Sequence, residues 1–82
     1  MKNKTPDGKA NIAGGKISKL RSALRPYVSQ DKLAAKVQLL GLNMHKNDIQ
    51  TIENGSRVIN DIELKAIAQV LNTTADELLK ED

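Results

Sequence analysis

The sequence predicts an all-α domain of five short helices, and three observations lead there. Its 82 residues include one aromatic side chain, Tyr27, and no cysteine. The core must therefore be built from Leu, Ile, Val and Ala, whereas a β-sandwich would be richer in aromatic and β-branched residues. Apolar residues recur at i, i+3, i+4 and i+7, the period that gathers side chains on one side of a helix. Ser29, Asn43, Asn60 and Thr74 each stand just before such a stretch, and short polar side chains there accept from the free N–H groups of a first helical turn. No heptad run is long enough for a coiled coil, so an orthogonal helical bundle is expected. A chain of this length makes one domain, near the smallest that a single core supports without staples.

Residues 1–14 read as a flexible basic N-terminal arm ahead of a domain over 15–82. Lys2, Lys4 and Lys9 make it cationic, Thr5-Pro6-Asp7-Gly8 is a turn signal, and beyond Met1 its one large apolar residue is Ile12. Such a segment is either a disordered terminus or an arm that adds phosphate or minor-groove contacts.

Helix 1 is expected from Gly15 to about Leu24, with Ile17, Leu20 and Leu24 on one face. Pro26 ends it, because the residue before a proline is pushed out of the α region. Helix 2 starts behind Ser29 with Asp31 in the first turn, where a carboxylate meets the helix dipole favourably. Leu33, Ala34, Val37 and Leu40 form its apolar stripe, and Gly41 stops it in a left-handed turn. Leu42 is expected to plug the core from that turn. Helix 3, over about 44–54, begins behind Asn43 and stops at Gly55, with Met44, Ile49 and Ile52 inward. Arg57 follows in a loop, exposed on the basic side. Helix 4 opens on Asn60 with Glu63 three residues later, a capping box. Leu64, Ile67, Ala68 and Leu71 show the clearest helical period of the chain, and Asn72 closes it. Helix 5 opens on Thr74-Ala75-Asp76-Glu77, a second box, with Leu78 and Leu79 as anchors.

Composition narrows the function. No apolar run approaches the roughly 20 residues of a membrane span, and no signal-peptide apolar segment opens the chain. A soluble cytoplasmic protein without a membrane partner is expected. Without cysteine there is neither a disulfide framework nor a thiolate zinc site. The single histidine, His45, has no cysteine to activate, and Asp31, Asp48 and Glu53 lack metal-ligand spacing to it. Gly14-Gly15 has neither the spacing nor the preceding strand of a phosphate loop. No enzyme activity, metal or cofactor is expected. The net charge of +3 is uneven: residues 1–57 hold eleven Lys/Arg against four acids, and residues 58–82 hold two against six. One face suits a polyanion and another turns away from it.

Helix 3 is the stretch around which the rest is organised. Away from its apolar side stand Lys46, Asn47, Gln50 and Thr51. Cation, amide and hydroxyl groups supply the donors and acceptors that read base edges in a DNA major groove, though a polar helix face taken alone is more often simply solvated. Helices 2 and 3 joined by a short turn with Gly41 make the arrangement of a helix-turn-helix. Gln30, in the first turn of helix 2, brings an amide and free backbone N–H groups within reach of an anion.

Four segments then carry a resemblance: Lys-Ile-Ser-Lys-Leu-Arg (16–21), Ser-Gln-Asp-Lys-Leu-Ala (29–34), Ile-Gln-Thr-Ile-Glu-Asn-Gly (49–55) and Leu-Lys-Ala-Ile-Ala-Gln-Val-Leu-Asn-Thr-Thr-Ala-Asp-Glu-Leu-Leu (64–79). In this order they resemble the Cro and phage-repressor-type (XRE-like) helix-turn-helix family, over about residues 12–79. The resemblance implies a five-helix lambda-repressor-like fold. It also implies sequence-specific binding of double-stranded DNA as a transcriptional regulator, expected to be a repressor. By position it implies base reading by Lys46, Asn47 and Thr51, flanked by His45 and Gln50. Phosphate contacts are implied for Gln30, Asn54 and Arg57, and a partly buried ion pair for Arg21 and Glu53. A domain this small covers one half-site, so a homodimer on a palindromic operator is expected, with helix 5 and the acidic C-terminal section as its surface. The chain departs from the family in a longer helix 1–2 connection at Arg25-Pro26-Tyr27-Val28 and a longer stretch from Val37 to Asp48. The alternative is a protein-interaction module of the same fold, such as an antitoxin-like or phage-encoded partner protein, for which Asp48 on the outward helix leaves room.

Overall fold

The structure, a computed structural model, describes residues 5–80. Five helices follow one another: α1 (Gly14–Ala23), α2 (Gln30–Leu39), α3 (Lys46–Glu53), α4 (Asp61–Val70) and α5 (Ala75–Leu79). Among the described residues there is no strand, and no helix is long and apolar enough to cross a membrane. α3 packs against both α1 and α2, α2 also meets α4, and α5 lies on α4. Their inward sides meet in one cluster that includes Ile17, Leu33, Val37, Met44, Ile49, Ile52, Ile67 and Leu78. Tyr27 stays outside it, 53% exposed.

Local chemistry accounts for most helix ends. The Ser29 hydroxyl accepts from the Lys32 N–H at 3.1 Å. Asn60 and Glu63 close a reciprocal box: the Glu63 N–H reaches Asn60 Oδ1 at 2.8 Å and the Asn60 N–H reaches Glu63 Oε1 at 3.1 Å. At α5, Thr74 Oγ1 accepts from the Glu77 N–H at 3.1 Å. α4 ends where Asn72 takes a left-handed conformation, φ 58°, which asparagine tolerates better than most residues.

Four elements differ from the sequence expectation. α3 begins at Lys46 behind His45, two residues later than a start behind Asn43 would place it. The cause is Asp48, whose Oδ2 accepts the His45 N–H at 2.9 Å and so sets the first turn. Met44, expected on the helix, is a fully buried loop residue instead, and its carbonyl is held by Gln38 Nε2 at 2.7 Å. Leu40, expected on the stripe of α2, is 41% exposed. α2 has stopped at Leu39, the chain reverses through Gly41 at φ 93°, and Leu42 and Met44 pack on the core from the connector. In α5 Leu78 is buried, but Leu79 is 41% exposed, so one anchor holds that helix.

Of the stretch read as an arm, Lys2 and Lys4 lie outside the described residues, as do Glu81 and Asp82 of the acidic C-terminal section. From Lys9 onward the arm packs on the domain. Ala13 is fully buried, and the Ala10 N–H donates to the Gly55 carbonyl at 2.7 Å. α1 starts one residue early, at Gly14, because Asn11 Oδ1 accepts the Gly14 N–H at 2.7 Å.

Candidate nucleic-acid interface

α3 has two sides of opposite chemistry. At 100° per residue, Lys46, Gln50, Asn54, Asn47 and Thr51 fall within an arc of about 140°. Asp48, Ile52, Ile49 and Glu53 fill the rest. The second set is anchored: Ile49 and Ile52 are fully buried. Arg21 Nε donates to Glu53 Oε2 at 2.7 Å and Arg21 Nη2 to Glu53 Oε1 at 3.0 Å. These two side chains are 8% and 6% exposed, so the ion pair to which the resemblance points is a buried one. It ties α1 to the C-terminal end of α3.

The first set faces out. Lys46, Asn47 and Gln50 are exposed, and among the described residues their side chains make no hydrogen bond. Thr51 is half-buried, and its hydroxyl donates back to the carbonyls of Asn47 at 2.9 Å and Asp48 at 3.1 Å. Thr51 therefore offers a methyl group and oxygen lone pairs, and no donor, to anything docked there. His45 sits before the helix, its side chain 66% exposed, with Nδ1 3.8 Å from Asp48 Oδ2. An α-helix with its side chains is about 10–12 Å across, which fits the width of a B-DNA major groove, about 12 Å. A groove of about 730 Å³ lies elsewhere, between the N-terminal segment, α1 and the end of α3. The outward side of α3 is a ridge that can enter a groove.

The residues expected on phosphates behave differently from one another. Gln30 Nε2 donates to Glu53 Oε1 at 3.0 Å, which holds the amide in place while its second N–H stays unused. Asn54 Oδ1 accepts from the Ser56 N–H and hydroxyl at 2.9 and 2.6 Å, leaving its NH₂ as the outward donor. Arg57 is not displayed on a basic surface as the sequence suggested. Its Nη1 and Nη2 grip Glu63 at 3.0 and 2.8 Å, and its Nε lies 3.8 Å from Asp48 Oδ1. A carboxylate six residues downstream, on the next helix, carries no local signal that sequence periodicity can detect. Asp48, awkward on a DNA-facing helix, is drawn into this cluster and into capping α3, away from the ridge.

The Arg57–Glu63 bond makes stability depend on acid. The hydrogen bonds from Arg57, followed by that from the Asn60 N–H and then the Arg57 charge, hold the Glu63 carboxyl below the ordinary value of 4.5, against the opposing effect of burial. The native carboxylate thus binds a proton less readily than the unfolded one. Its contribution is complete above the ordinary value and drains away as pH falls through the lower native value. Urea melts from pH 7 to pH 3 should show wild type losing more stability on acidification than Glu63→Gln. Equal slopes would remove the pair from any account of acid sensitivity.

Among the described residues no three metal-ligating side chains cluster. Comparison with protein-family models, curated proteins and solved structures returned no match. The functional reading therefore rests on the geometry of α3 and on the segment resemblance.

Proposed function

We propose that this chain is a sequence-specific double-stranded DNA-binding domain of a transcriptional regulator, a repressor, with α3 as the helix that enters the major groove. The observation that carries this reading is the row of Lys46, Asn47 and Gln50 on one side of α3, exposed and without a side-chain hydrogen bond among the described residues, while Ile49, Ile52 and the Arg21–Glu53 pair pin the other. Donors and acceptors held at fixed rotation are what direct readout of base edges needs. Gln30, with one amide hydrogen beyond its bond to Glu53, and Asn54, with its NH₂, flank the ridge, suited to phosphate oxygens that set register without reading sequence. The longest dimension of the molecule, 37 Å, spans little more than one turn of DNA (~34 Å), so one copy covers one half-site. A homodimer on a palindrome follows, for which α5 with exposed Leu79 is the proposed contact.

The competing role, a protein-interaction module of the same fold, drew on the acidic Asp48. That carboxylate is occupied with His45 and Arg57, which weakens the case for it.

Selection of bound duplexes from a random pool tests the reading, with affinity for the recovered sequence then followed across a salt series. A palindromic consensus with affinity falling steeply in salt is expected. Unselected pools and a flat salt response would end it. On the recovered sequence, Lys46→Ala or Asn47→Ala should each cost about 1–3 kcal/mol and relax base preference at one position. Gln30→Ala should instead weaken binding to every sequence alike.

A further inference from the structure

We propose that Asn11 is a positioning residue for α3: with the backbone of residues 10–14 it forms the C-terminal cap of the helix that reads DNA. This rests on the DNA-binding reading above.

The last turn of a helix leaves carbonyls without intrahelical donors, and those ends are usually closed by the next few residues of the chain. Part of that closure in α3 is local, with the Gly55 N–H donating to the Ile52 carbonyl at 3.1 Å and the Ser56 N–H to the Thr51 carbonyl at 3.0 Å, and part comes from the start of the chain. Asn11 Nδ2 donates to the Ile52 carbonyl at 3.0 Å and to the Arg57 carbonyl at 2.7 Å, while Asn11 Oδ1 accepts the Gly14 N–H at 2.7 Å. One half-buried amide thereby joins the start of α1, the end of α3 and the loop after it. The Ala10 N–H takes the Gly55 carbonyl at 2.7 Å. Lys9 Nζ takes the Asn54 carbonyl at 3.1 Å, with its stem lying over Gly55. α3 has no basic residue in its own last turn, so this ammonium joins the Arg21 guanidinium at the negative end of its dipole.

The consequence is for the ridge. A short readout helix must be held to about 0.5 Å and 10–20° for its side chains to meet base edges. The Arg21–Glu53 pair fixes α3 from the side, and Asp48 fixes its first turn. Asn11 fixes the end that carries Asn54 and the Gly55 turn. Loss of this clip frees the helix end to swing, which harms base reading more than non-specific attraction to phosphate.

The test uses the full chain and two variants. Asn11→Ala removes the donors to the α3 end and adds no charge that would itself weaken binding to every duplex. Asn11→Ser keeps a short local acceptor and cannot span to α3. Affinities for the selected duplex and for a scrambled duplex are measured at a temperature where circular dichroism shows each protein fully folded. Amide exchange is followed in parallel. The expected result is a loss of about tenfold on the selected duplex with the scrambled duplex changed by less than about twofold. Exchange should quicken at Asn54 and Gly55 and stay unchanged in α4. If both affinities fall together, or neither falls, Asn11 is merely structural and the proposal is overturned. A wild-type chain with no preference between the duplexes overturns the DNA reading itself and the proposal with it, an outcome visible before any variant is made.

Discussion

Arg21→Met should destabilise the domain by about 3–5 kcal/mol, the usual cost of breaking a buried ion pair by removing one partner. The magnitude follows from what is left behind. The Glu53 side chain, 6% exposed, would be left without its guanidinium partner, and among the described residues Gln30 Nε2 would remain as its side-chain donor. Arg21 also binds the Tyr27 hydroxyl at 3.2 Å and the Val28 carbonyl at 3.1 Å, so the α1–α2 connection loses a support as well. The bidentate bond to Glu53 is the main reason the guanidinium holds its proton more tightly than usual. The double variant Arg21→Met/Glu53→Leu should recover most of the loss, because the uncompensated charge is gone and the site becomes apolar. Urea melts of the three proteins decide the matter. A double variant no better than Arg21→Met would mean that the loss lies in packing and not in the stranded charge.

Gly14→Ala should cost about 2–3 kcal/mol, even though alanine is the better helix former by about 1 kcal/mol. A Cβ at Gly14 would stand 2.1 Å from the Ile52 carbonyl oxygen, a backbone atom, with the Glu53 carbonyl at 3.1 Å behind it. α1 and α3 would have to part by about an ångström, and overpacking of this kind costs about 1–3 kcal/mol, occasionally more. Gly15 is the internal control. It lies in the same helix with nothing within 4 Å of its Cβ position, so Gly15→Ala should stabilise by up to about 1 kcal/mol. For a domain of this size about 1 kcal/mol moves Tm by about 4–8 °C. Thermal melts should therefore shift in opposite directions for two neighbouring glycines. A Gly14→Ala protein that melts with wild type would show that α1 does not approach α3 this closely.

Both predictions concern contacts between α1 and the end of α3; Arg21 is marked by the resemblance, whereas neither Gly14 nor Asn11 stands out in the sequence as a contact to α3. Ser29, Asn60 and Thr74 did stand out as caps, because each acts on an N–H three residues away. The stripe of α4 was equally plain, since Leu64, Ile67, Ala68 and Leu71 are neighbours through the helix itself. Asp48 shows where such reading stops. Its neighbours in sequence made it an acid on a DNA-facing helix, yet it caps α3 and faces Arg57. Arg57 was read as an exposed cation for the same reason, and Glu63 on α4 holds it.

By itself, then, the sequence determined the helices, the caps of α2, α4 and α5, and the polar ridge of Lys46, Asn47, Gln50 and Thr51, all of which follow from interactions within one turn or from a period of 3.6. The family resemblance added the Arg21–Glu53 pairing. The tertiary structure decided where α3 begins, that Met44 and not Leu40 completes the core beside it, and which charged and amide groups stay free for a partner. Those outcomes depend on side chains tens of residues apart meeting in space, Asn11 with Ile52 and Arg57 above all. No local pattern encodes that meeting, because the donors and acceptors come together only after the core has brought α1, α3 and α4 into place.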